Sequence, residues 1–167
     1  MIPPSLVLGP SYYADKLPAL RDLFGTEDLR LVDGGIEVRG RSYPVLGDVI
    51  LLPDPREYSA QVRRVLWDSR GGPSRADFAE DIQFSFGEEW KQYPRILPEH
   101  GREFDAYFDL VDRASLRGAR VCDLGCGIGR WSHFIKDHCR ELVLVDFSDA
   151  IFVAEKICGI APTRFFF

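Results

Sequence analysis

The chain has 167 residues, 46% apolar and 28% charged, with 21 basic and 26 acidic side chains for a formal net charge of −5. That balance fits an ordinary globular protein with one sizeable domain or two small units, and no dense Lys/Arg stripe marks a general nucleic-acid binder. No apolar run approaches the ~20 residues that cross a bilayer, and Met1-Ile-Pro-Pro-Ser-Leu lacks the basic and apolar regions of a signal peptide, so a cytoplasmic location is the expectation.

In chain order, residues 12–24 read as a short helix with Leu17, Leu20 and Phe24 on one face and with Pro18 limiting where it begins. Leu29–Val32 and Ile36–Arg39 flank Asp33-Gly34-Gly35, a hairpin signature. Arg41–Val45 and Asp48–Leu52 add extended segments around Gly47, and Pro53 and Pro55 close a small β-rich module over 1–55. A helical, aromatic-rich lead-in is expected over 56–118. It contains a helix at 56–69 with Tyr58, Val62, Val65 and Leu66 inward, a linker at Gly71–Ser74, and the aromatics Phe78, Phe84, Phe86, Trp90 and Tyr93. Phe104, Tyr107, Phe108 and Val111 then recur at helical spacing, which predicts an amphipathic helix ending near Gly118.

From residue 119 the pattern becomes β-loop-α-β-α, an α/β arrangement over 119–167. Ala119–Cys122 is the first strand, Arg130–His138 a helix, and Leu142–Val145 the second strand. Ser148 caps a helix that runs to Ile157 and stops at Gly159, and Arg164–Phe167 opens a third strand. The cysteines Cys122, Cys126, Cys139 and Cys158 form no C-x-x-C pair, so reduced thiols are expected and no metal site. His100, His133 and His138 sit where packing or surface histidines occur, and no residue is assigned a catalytic role.

Gly125, Gly127 and Gly129 follow Asp123 in the loop after the first strand. Alternate glycines let backbone turn sharply and approach a ligand, and a helix beginning there would add free N–H groups and the positive end of its dipole. Dinucleotide folds space their glycines G-x-G-x-x-G, whereas here the third comes one residue early. A pyrophosphate would be repelled by Asp123, while a cofactor with an amino group and a sulfonium would be favoured by it. Asp146 ends the second strand 21 residues after Gly125, where an acid accepting both ribose hydroxyls belongs.

Val121-Cys-Asp-Leu-Gly-Cys-Gly-Ile-Gly-Arg-Trp followed by Leu142-Val-Leu-Val-Asp-Phe-Ser resembles the first two motifs of class I S-adenosylmethionine-dependent methyltransferases. The resemblance implies the start of a Rossmann-like sheet, strands one and two with part of three. It implies S-adenosyl-L-methionine as cofactor, with Asp123, Gly125, Cys126, Gly127 and Gly129 around its methionine part, Asp146 on the ribose and Phe147 near the adenine. Phe84-Ser-Phe-Gly-Glu-Glu-Trp is similar to the F-G-x-x-W lead-in of one methyltransferase subgroup, which packs over the cofactor mouth; the alternative is that Phe86, Trp90 and Tyr93 are core. Residues 29–52, with Tyr43-Pro44-Val45, resemble the zinc-ribbon-like domain of tRNA-methyltransferase activator proteins, without its metal cysteines.

By the same resemblance the complete sheet has seven strands, and the residues that select the methyl acceptor lie outside this chain. The expectation is the N-terminal part of a methyltransferase, weak or inactive alone, whose first strand is completed by further chain, by a protein partner or by a second copy. A non-catalytic accessory protein that binds a methyltransferase is the alternative.

Overall fold

The computed structural model describes residues 10–67, 95–159 and 164–167, so the expected linker at Gly71–Ser74 and the aromatics between Phe78 and Tyr93 lie outside the described residues. It is a mixed α/β protein that divides into two compact units, Met1–Ala79 and Glu80–Phe167. No described helix is long and apolar enough to cross a membrane.

The first unit begins with a 3-10 turn, Pro10–Lys16, that passes into helix α1, Leu17–Phe24. Pro18 fits the first turn, where its missing N–H needs no partner, but it cannot donate to the carbonyl four residues back that an earlier α-helical start would require. The helix starts later than the apolar pattern implied for this reason. Gly25 ends it in the left-handed region, its N–H directed to Arg21 and Asp22 carbonyls. Four antiparallel strands follow as a meander: β1 Leu29–Val32, β2 Gly35–Val38, β3 Arg41–Leu46 and β4 Val49–Ile50. The β2–β3 connection is Arg39-Gly40, both at positive φ (49° and 76°), the two-residue geometry whose twist matches that of the strands. Gly35 is fixed by space: a Cβ there would lie 2.3 Å from the Tyr43 carbonyl oxygen.

Tyr13, Leu20, Leu29, Ile36, Val45, Leu46, Val49 and Ile50 are buried in this unit, and the Tyr13 hydroxyl donates to the Asp48 carbonyl at 2.5 Å. Beyond β4, Asp54 caps a 3-10 turn at Pro55–Glu57, and helix α2 runs Ala60–Trp67. Tyr58 and Val62 are buried as expected, although Tyr58 lies before the helix.

In the second unit, α3 spans Pro98–Tyr107, and its expected extension to Gly118 is not found. Asp112 is the reason. Its carboxylate accepts the Ala114 N–H at 2.9 Å and its carbonyl accepts the Ser115 hydroxyl at 2.6 Å, so these polar groups turn Arg113–Leu116 into a separate 3-10 turn. Val111 therefore leaves the apolar face and is exposed. Phe104 stays buried, with ring centroids 4.7 Å from Phe108 and 5.3 Å from Phe134.

Three parallel strands form the rest: β5 Arg120–Leu124, β6 Glu141–Val145 and β7 Arg164–Phe166, with β6 in the middle. Between β5 and β6 the expected nine-residue helix shrinks to α4, Ser132–Ile135. One turn is below the length that holds itself together, and Trp131, His133 and Phe134 are weak helix formers. Ring contacts of Trp131 and Phe134 with Phe104 hold it instead. Helix α5, Ile151–Cys158, links β6 to β7 and ends at Gly159.

Candidate functional site

The loop after β5 and the turn after β6 lie at the same, C-terminal, edge of the parallel strands, because Asp123 pairs in register with Leu144 and Leu124 with Val145. That adjacency brings together Asp123, Gly125, Cys126, Gly127 and Asp146. The Val145 carbonyl accepts both the Gly125 and Cys126 N–H groups, at 2.8 and 3.1 Å, which ties the loop's first turn to the end of β6. The Gly127 N–H donates to Asp146 Oδ2 at 2.7 Å. On its other oxygen, Asp146 accepts the Ser148 N–H at 2.9 Å and the Ser148 hydroxyl at 2.6 Å. The Asp146 N–H donates to the Phe167 carbonyl at 3.1 Å, fixing the residue against the chain leaving β7.

These bonds decide how α5 begins. Ser148 was expected as its cap, but the Asp146 carboxylate draws in the Ser148 backbone and hydroxyl, and the helix starts three residues later at Ile151. The Ser148 hydroxyl oxygen still accepts the Ala150 N–H at 3.3 Å.

Asp123 accepts the hydroxyl of Ser132 at 2.6 Å, and Ser132 is fully buried. A buried serine bonded to a half-buried carboxylate fixes that side chain's orientation. Sequence reasoning missed Ser132, because nothing in a nine-residue spacing across a loop marks a hydroxyl that turns back toward the strand.

Gly125, Gly127 and Gly129 all take positive φ, at 75°, 54° and 73°. Their roles differ. A Cβ on Gly125 would meet nothing within 4 Å, whereas one on Gly129 would lie 2.9 Å from Cys158 Sγ and 3.2 Å from the Ala154 Cβ. Gly129 thus lets the loop pack on α5, whose Ala154 and Cys158 share a face four residues apart.

Cys126 points inward. Its side chain is buried, and burial pushes its thiol far above the ordinary range, with Asp146 and Asp123 adding to the effect. Burial likewise pushes the Cys158 thiol up to about 11, against the pull of Lys136 and Arg164. Any contact of Cys126 with a ligand in this loop would run through its backbone. Phe147, next to Asp146, is 56% exposed, and Leu124 at the end of β5 is 76% exposed.

One part of the expected electrostatics changes. With a single turn in α4, few peptide dipoles line up behind the loop, so the attraction for an anion at its start is small. The charge at this edge is carboxylate charge, from Asp123 and Asp146. Among the described residues, no group of three His, Cys, Asp or Glu side chains is placed to hold a metal ion. No protein-family model matches the chain, and no curated protein or solved structure matches it.

Proposed function

We propose that residues 119–167 are the opening of a Rossmann-like domain that binds S-adenosyl-L-methionine, and that the protein belongs to a methyltransferase. The observation that carries this reading is the pairing of two oriented carboxylates, Asp123 and Asp146, across a G-x-G-x-G loop at the C-terminal ends of adjacent parallel strands. A cofactor with ribose hydroxyls and a cationic amino-sulfonium part meets carboxylates favourably at both ends, whereas a pyrophosphate would be repelled. Asp123 lies at the methionine end, Asp146 takes the ribose, and exposed Phe147 offers a ring beside the adenine.

Asp146 adds a refinement. A carboxylate offers about four acceptor sites, and three donors already occupy this one. Two ribose hydroxyls need one more site than remains, so one of these three donors yields when the ribose binds. The bound cofactor would supply an activated methyl group; this chain's residues bind and orient it. A cytoplasmic location accords with the composition.

The test is a nuclear magnetic resonance titration of the chain with S-adenosylhomocysteine and, separately, with NAD. Shifts of the Gly125, Gly127 and Ser148 amides with S-adenosylhomocysteine, at concentrations up to about millimolar, are the expected result. Silent loop amides, or larger shifts with NAD, overturn the assignment.

A further inference from the structure

At the opposite edge of the same three strands lies a cleft of about 340 Å³, lined by Arg113, Arg117, Gly118, Asp137, His138 and Arg140 among others. Gly118 and Arg140 stand just before β5 and β6, whereas the glycine loop follows β5. Five residues of strand, roughly 16 Å, separate the two places. The cleft belongs to no part of the site described above.

Its charge is unusual for an acidic chain. Asp137 is the one carboxylate in the lining, and Arg164 pairs with it at 2.8 Å. Glu141 is shared by two arginines: Arg120 at 2.5 Å on one oxygen, and Arg140 at 3.5 Å on the other. Arg113 is held in place by Asp105 and by the Phe104 ring, 4.7 Å from its guanidinium carbon. Arg117 pairs with no carboxylate among the described residues. The result is a small hollow lined by three arginines against one carboxylate, a surplus of positive charge that an anion relieves, with Arg117 the arginine free of a carboxylate among the described residues. Gly118, at φ 79°, has nothing within 4 Å of where a Cβ would stand, so the lining stays open beside Arg117.

We infer that this cleft binds the phosphate group of a small phosphomonoester. Guanidinium forks match phosphate oxygens in pairs, and the hollow is of the size that takes a small metabolite. A nucleic-acid backbone fits less well, because a net charge of −5 would repel a long polyanion beyond the cleft.

The chain would be titrated at constant ionic strength with inorganic phosphate, glycerol 3-phosphate and a short single-stranded DNA, following the Gly118, Cys139 and Arg140 amides. Both phosphate probes are expected to move these amides and to leave Gly125 and Gly127 still. The double variant Arg117→Gln/Arg140→Gln should bind about tenfold more weakly or worse, with the rest of its spectrum unchanged. Should that variant misfold, Arg117→Gln alone carries the comparison, its side chain being exposed. Unmoved amides, affinity unchanged by the substitutions, or tighter binding of the DNA than of glycerol 3-phosphate overturns the proposal.

Discussion

The Gly127 N–H and the Asp146 carboxylate meet at 2.7 Å, a bond across 19 residues that closes the glycine loop onto the end of β6. It is charge-assisted, and it shares its carboxylate with two donors from Ser148. Loop, strand end and the start of α5 are therefore one bonded unit.

Replacing Asp146 with Ala removes the acceptor for all three donors. The expected cost is about 2 kcal/mol or more, with faster hydrogen exchange at the Gly127 amide. Ser148→Ala should cost about 1 kcal/mol and leave Gly127 protected. Denaturant melts and amide exchange on both variants check this. Equal exchange at Gly127 in the two variants would contradict the shared-carboxylate arrangement.

Gly129→Ala combines backbone strain at φ 73° with a clash against Cys158 Sγ and the Ala154 Cβ. We expect a loss of about 2 kcal/mol or more. Gly125→Ala carries the strain without the clash and should cost less. Adding Cys158→Ala to Gly129→Ala should recover part of the difference, read from the midpoints of chemical denaturation.

The carboxylate of Asp54 is held at about 2, below its ordinary 3.8, chiefly by the Arg56 side chain and then by its N–H. A folded value below the unfolded one means that this group's contribution is present above pH 3.8 and is lost as the pH falls toward 2. Carboxyl carbon titration should give a midpoint near 2 in the native chain, moving upward in Arg56→Ala. A midpoint that stays put in the variant would show that the Arg56 side chain is not the cause.

Alkylation at mildly alkaline pH should distinguish the thiols. Cys122 is exposed, whereas Cys126 and Cys158 are buried with their thiols pushed up, Cys158 to about 11 from 9.0. Iodoacetamide should modify Cys122 first and reach Cys126 and Cys158 only on unfolding. The Cys158 shift also has a sign for stability: its contribution is complete below pH 9 and is lost as the pH rises toward 11. Early modification of Cys126 would place its side chain outside the loop.

The strands were the most readable part of the chain. Short runs of β-favouring apolar residues gave β1, β2, β6 and β7 nearly to the residue, because residue type and the turn chemistry beside a run are local properties. Helix lengths were less readable. At α3 the competition came from Asp112 and Ser115, and at α4 from aromatic packing that tolerates one turn. Both are contests between local propensity and partners fixed elsewhere, which periodicity does not see.

The sequence by itself determined that an acid precedes three alternate glycines, that a second acid ends the next strand, and that the strands are short and apolar. Residue type and spacing suffice for that. Only the tertiary structure decided that Ser132 and Ser148 turn back onto those acids, that Cys126 faces inward, that Gly129 serves packing, and that arginines from two separate segments share a hollow at the far edge. Each of these depends on where strand pairing and helix packing place groups far apart in the chain, and hydrogen bonds and like charges act over a few ångströms of space rather than along the sequence.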